Sequence, residues 1–161
     1  MKLLLILLLL SSQAFAQQDQ IVVDGALGIL GNEGSSLSQV KFAKIGLQED
    51  VWDALKQRFN VGQWLDSRGN GRSNSTFAGY QIGFEVSNDV LQSSIFGGPS
   101  VISNPDVALG GIVQFNETIF FGIKDKDSNS MGVAYNHFSS GGLEMPNLGR
   151  DFLGLEIKFP F

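Results

Sequence analysis

The chain contains no cysteine and only one histidine, His137. The first absence excludes disulfide staples, thiolate metal sites and cysteine-based catalysis. Together the two remove the ligands that a structural zinc site needs, and no metal or other cofactor is expected. Charge is sparse: 17% of residues are charged, with 11 Lys and Arg against 16 Asp and Glu, for a net charge of -5. So acidic a chain offers no general attraction to nucleic acid. Tryptophan and tyrosine occur twice each, whereas there are 13 phenylalanines and 20 glycines. The one long apolar run, Leu3 to Leu10, is too short for a membrane-spanning helix, which needs about 20 residues.

Lys2 precedes that run and Ala14-Phe15-Ala16 follows it as a small-x-small cleavage pattern. Residues 1–16 are therefore expected to be a secretory signal peptide, and 17–161 a single domain. An exported chain without disulfides must be held by a core, a metal or a closed hydrogen-bonded sheet. The patterning favours the sheet. Strands are predicted at 21–30, 39–48, 54–65, 76–86, 90–102, 110–124, 130–139 and 151–161, separated by clusters of Gly, Asn, Asp, Ser and Pro.

Alternation with period two is sharp in three of these segments. Ala78, Tyr80, Ile82, Phe84 and Val86 alternate with Gly79, Gln81, Gly83 and Glu85. Val113, Phe115, Ile119, Phe121 and Ile123 share one face opposite Gln114, Asn116 and Thr118, with Glu117 breaking the apolar side. Leu153, Leu155, Ile157, Phe159 and Phe161 oppose Glu156 and Lys158. An apolar outer face and a polar inner face over eight strands predict an all-β fold, an eight-stranded antiparallel transmembrane β-barrel of the outer-membrane type. A soluble β-sandwich is the competing fold. Two features run against the barrel: residues 50–59 have the composition of an amphipathic helix, and Lys41 and Lys44 fall on opposite faces of one strand.

Chemistry concentrates in the last hairpin. His137 and Ser139 are two residues apart and share a face if the segment is extended. A tight return of the chain brings Asp151, at the start of the next strand, beside them. Nucleophile, base and orienting carboxylate then lie together, a hydrolase arrangement. Parity puts Val133 and Tyr135 on that face too, and aligns Asp151 with the apolar wall of the last strand. The three residues are thus predicted on the outside of the barrel near one rim. Polar groups kept on a lipid wall point to function, and a site facing the membrane points to a lipid substrate.

The run from His137-Phe-Ser139 through Pro146-Asn147, Gly149 and Asp151 resembles the C-terminal signature of the lipid A 3-O-deacylases of the PagL type. The resemblance is specific from about Phe115 and Phe121-Gly122 onward; upstream it is one of length and strand layout. It implies an eight-stranded outer-membrane enzyme that hydrolyses an ester-linked acyl chain, at position 3, of lipid A or lipopolysaccharide. It also implies Ser139 as nucleophile, His137 as general base, Asp151 as orienting acid, and Asn147, with the backbone N–H of Gly142, as oxyanion donors. One departure stands out: the family's usual acid is glutamate, and Asp151 is shorter by a methylene. Glu144 is a candidate substitute acid.

Other readings compete. A non-catalytic small barrel, structural or adhesive, would leave the triad spacing as coincidence, and a phospholipid esterase would use the same residues on another lipid. Whether the barrel forms a homodimer is left open by the sequence. Phe120, Phe121, Phe159 and Phe161 are expected to be wall and girdle residues. The acidic stretch 125–129 lacks the glycine turn and terminal glutamate of a calcium loop and is expected to be a polar turn.

Overall fold

A computed structural model describes residues 19–30, 40–66, 74–105, 109–145, 147 and 149–161. Eight antiparallel strands follow one another around a closed barrel: β1 (Gln20–Leu30), β2 (Val40–Trp52), β3 (Leu55–Asp66), β4 (Ser75–Ser87), β5 (Leu91–Ile102), β6 (Val113–Lys124), β7 (Ser130–Ser139) and β8 (Arg150–Pro160). Strand β8 pairs with β1, so the sheet has no open edge. The expected eight strands are present, most with bounds shifted by a residue or two. The signal peptide expected at 1–16 and the turn-rich stretches at 31–36 and 67–73 lie outside the described residues.

The stretch 50–59 is not a helix. It forms the end of β2, a tight turn with Asp53 at φ 45°, and the start of β3, with Asp50 opposite Lys56 and Gln48 opposite Arg58. Cross-strand bonding outweighs helix propensity, because only a closed ladder satisfies these backbone groups in a bilayer. The sixth strand starts at Val113, three residues later than expected. Before it, the Gln114 side-chain amide donates to the carbonyls of Leu109 and Gly111 and holds that segment as a turn. The stretch 125–129 is the polar turn expected: the Asp125 carboxylate accepts from the N–H groups of Asp127 and Asn129.

Inward and outward residues alternate on every strand. Outward side chains form an exposed apolar band that includes Ile45, Phe59, Ile82, Ile95, Ile119, Val133 and Leu155, as a lipid-facing wall requires. Phe121, Phe159 and Phe161 lie on this exposed surface as expected, but Phe120 does not. Its even parity in β6 turns it into the lumen, where its ring lies 4.1 Å beneath the Lys158 ammonium. Lys44 likewise points inward and is buried, while Lys41 remains exposed.

The lumen is filled in two layers. Toward the short turns, Lys44, Arg58 and Lys158 interleave with Asp24, Glu85 and Glu156. The Arg58 guanidinium reaches both oxygens of Glu156, at 3.1 and 3.2 Å, and also donates to Gln48. Lys158 donates to Glu85 at 2.7 Å. Burying these charges costs free energy unless each is paired, and a branched network centred on Glu156 supplies the partners. Toward the other end, Phe42, Trp64, Phe77, Phe138 and Phe152 form an aromatic plug with ring centroids 4.7–6.1 Å apart. The plug lies at the end where the longer connections 31–39, 67–74, 103–112 and 140–149 emerge, which is the extracellular end of a barrel of this kind.

Arg58→Ala, which removes both hydrogen bonds to the buried Glu156 and leaves it only the longer contacts to Lys44 and Lys158, is expected to lower stability by about 3–5 kcal/mol. Urea titration of the refolded barrel in micelles checks this; an unchanged midpoint would mean the charged layer is not what holds the lower barrel.

Candidate active site

The strands that carry His137, Ser139 and Asp151 are pinned from inside. Phe138, between His137 and Ser139, is 0% exposed and packs in the plug, and Phe152, next to Asp151, is 1% exposed in the same cluster. Alternation then forces His137, Ser139 and Asp151 outward. A register irregularity adds to this: β1 and β8 are out of step between Gly28 and Leu30, at the level of Phe152 and Asp151. Such bulges re-aim side chains near sites.

His137 and Asp151 are direct cross-strand partners, and the ring Nδ1 lies 2.8 Å from Asp151 Oδ1. The carboxylate of the shorter acid therefore reaches the imidazole, because the two residues sit opposite each other. A carboxylate can only accept, so Nδ1 carries the proton of the neutral ring and Nε2 is left with its lone pair. The side chains are 27% and 15% exposed, half-sheltered on the outer wall. Ser139 shares their face, half-buried, with Phe115 as its cross-strand partner. Among the described residues no hydrogen bond joins its hydroxyl to His137; such contacts often tighten only around substrate.

Two neighbours were not singled out from the sequence as site residues. The Tyr135 hydroxyl donates to Asp151 Oδ1, the same oxygen that faces His137. Glu117, the residue that interrupts the apolar alternation of β6, lies directly opposite His137 on the other side. The signal for both was available as parity: 135 shares a face with 137, and 117 with its β6 wall.

The returning loop completes the surroundings. Ser140 is buried; its N–H donates to Asn147 Oδ1 at 2.8 Å and its hydroxyl donates to the Glu144 carbonyl. With its oxygen held by a backbone N–H, Asn147 has its Nδ2 amide hydrogens left to offer. Gly142 is exposed at φ +83°, beside Gly141 at φ +61°, a left-handed pair that glycine adopts without strain. The Glu144 carboxylate lies against the Gly111 backbone in the β5–β6 connection, so the imidazole is held by Asp151 and not by Glu144. Gly149, at φ +71°, abuts the His137 ring: a Cβ there would lie 2.7 Å from Cε1 and 3.5 Å from Nε2. Gly149→Ala is accordingly expected to displace the ring and lower ester hydrolysis at least about tenfold, with gel mobility of the folded barrel unchanged. Full activity would show that the ring has room to move.

The profile of the family described as lipid A 3-O-deacylase (PagL) matches residues 38–160, the whole of this site included. Two similar proteins both carry the name lipid A deacylase PagL. That of Pseudomonas aeruginosa is 27% identical over 174 aligned residues, 98% of this chain and 96% of that protein. That of Bordetella bronchiseptica is 36% identical over 62 residues, 38% of this chain and 35% of that protein. In fold, the chain resembles the crystal structure of the outer membrane enzyme PagL with a TM-score of 0.63 at 22% identity, over 89% of this chain and 99% of that one. A profile match over most of its length places this outer-membrane barrel in the lipid A 3-O-deacylase (PagL) family of ester hydrolases.

Proposed function

We propose that the chain removes an ester-linked acyl chain from lipid A, most specifically at position 3, through a Ser139–His137–Asp151 triad on the membrane-facing wall. The observation that carries this reading is the 2.8 Å pair between His137 Nδ1 and Asp151 Oδ1, outside the barrel, at the rim where the longer connections emerge, with Ser139 on the same face. A lipid of the outer leaflet would present its ester to this wall without leaving the membrane.

In this mechanism Nε2 of His137 takes the Ser139 proton as Oγ attacks the ester carbonyl. The Asn147 amide donates to the developing oxyanion, assisted by the N–H of Gly142. The tetrahedral adduct collapses to an acyl-serine as the sugar oxygen leaves with the proton from Nε2. Water, activated by the same nitrogen, then attacks the acyl-serine and releases the fatty acid. Asp151 stays ionised throughout, holding the tautomer and stabilising the imidazolium. Residues 1–16, in the same reading, serve as the export signal and are removed, leaving 17–161 as the barrel domain.

Mass spectrometry of lipid A after incubation with the refolded protein in detergent tests the proposal. Loss of one hydroxyacyl chain with wild type and not with Ser139→Ala is the expected result. Deacylation of phospholipid and not lipid A would shift the substrate, and equal spectra for both proteins would favour a non-catalytic barrel. Asn147→Ala is expected to lower kcat about a hundredfold, the usual worth of one oxyanion donor at ~3 kcal/mol; an unchanged kcat would remove Asn147 from the mechanism.

A further inference from the structure

The Asp151 carboxylate stands on a lipid-facing wall, where an ionised group needs more than one partner to remain fixed. Its Oδ1 accepts from two donors at once, the His137 ring and the Tyr135 hydroxyl. The three residues come from two strands with fixed register. His137 is directly opposite Asp151, and Tyr135, one outward position further along β7, is directly opposite Leu153. Tyr135 thus approaches the carboxylate diagonally, a distance a long aromatic side chain spans and a short one does not.

Asp151 has a single methylene and only two side-chain torsions. Without a second donor its carboxylate could rotate away from His137 toward the open side of the wall; Glu117, the cross-strand neighbour of His137 on β6, is itself an acid and supplies no donor that would hold it. A phenol on a lipid-facing wall also requires an acceptor of its own. Bonding to Asp151 satisfies both needs.

We infer that Tyr135 is a positioning residue for the reaction: its hydroxyl fixes the Asp151 carboxylate against His137 Nδ1, and so keeps Nε2 unprotonated and aimed at Ser139. No proton is transferred from Tyr135; it acts only through Asp151. The inference rests on the triad reading given above and goes beyond it in assigning the group that orients the acid.

A double-mutant cycle separates this role from a structural one. Tyr135→Phe keeps the ring on the wall and removes only the hydroxyl. It is expected to lower kcat for lipid A deacylation in micelles about tenfold with KM unchanged, the usual weight of a hydrogen bond to a charged group. In the Asp151→Asn background the same substitution is expected to change kcat less than about twofold, because the group it acts through is gone. A second readout does not depend on turnover. His137 is the only histidine, so its Nδ1–H proton resonance in the Ser139→Ala protein is unambiguous. That resonance is expected strongly downfield with Tyr135 present and shifted upfield or lost to exchange in Tyr135→Phe. Equal losses of kcat in both backgrounds, a change confined to KM, or an unmoved resonance would overturn the assignment. Wild-type protein without deacylase activity, or activity surviving in Ser139→Ala, would overturn the underlying triad reading instead.

Discussion

In a closed antiparallel sheet set in a bilayer, sliding one strand by one residue would send its whole apolar set into the lumen and its polar set into lipid. Closure therefore does more than satisfy backbone groups. It makes parity binding, so that every residue of β7 and β8 is committed to wall or lumen by its neighbours. The outward placement of His137, Ser139 and Asp151 follows from the inward placement of Phe138 and Phe152.

The two layers of the lumen divide the work. The charged layer toward the short turns fixes five strands, β1 to β4 and β8, to one another through directional bonds that tolerate little rotation. The aromatic plug beneath the longer connections is buried and closely packed, and it abuts the strand ends where the site lies. Support for the site is thus packing from within, while its polar chemistry faces outward. For a chain of the lipid A 3-O-deacylase family, this arrangement lets a rigid barrel meet a substrate that is itself part of the membrane.

Much of this was legible in the sequence. Strand alternation in β4, β6 and β8 appears directly in the order of residues, and the His137–Ser139 spacing with Asp151 after a return marked the hairpin. What sequence could not resolve had physical reasons. The end of β2 and start of β3 are built from good helix formers, and only pairing with each other makes them strands. Phe120 looked like its neighbour Phe121, since an aromatic ring suits lipid and a cation equally well; parity within β6 was the deciding signal. Whether the short side chain of Asp151 reaches the imidazole depended on the β7–β8 register, which sets 151 opposite 137 and lies beyond what composition can fix. Tyr135 read as a wall residue because its partner is on another strand.

The account stands on Ser139 being an activated nucleophile that faces lipid. The most direct measurement is covalent labelling of the refolded barrel with a long-chain alkyl sulfonyl fluoride, followed by intact mass and peptide mapping. A single adduct on Ser139 that disappears in His137→Ala is the expected result. An adduct that persists without His137, labelling at a different residue, or an unmodified Ser139 in a folded barrel would contradict it.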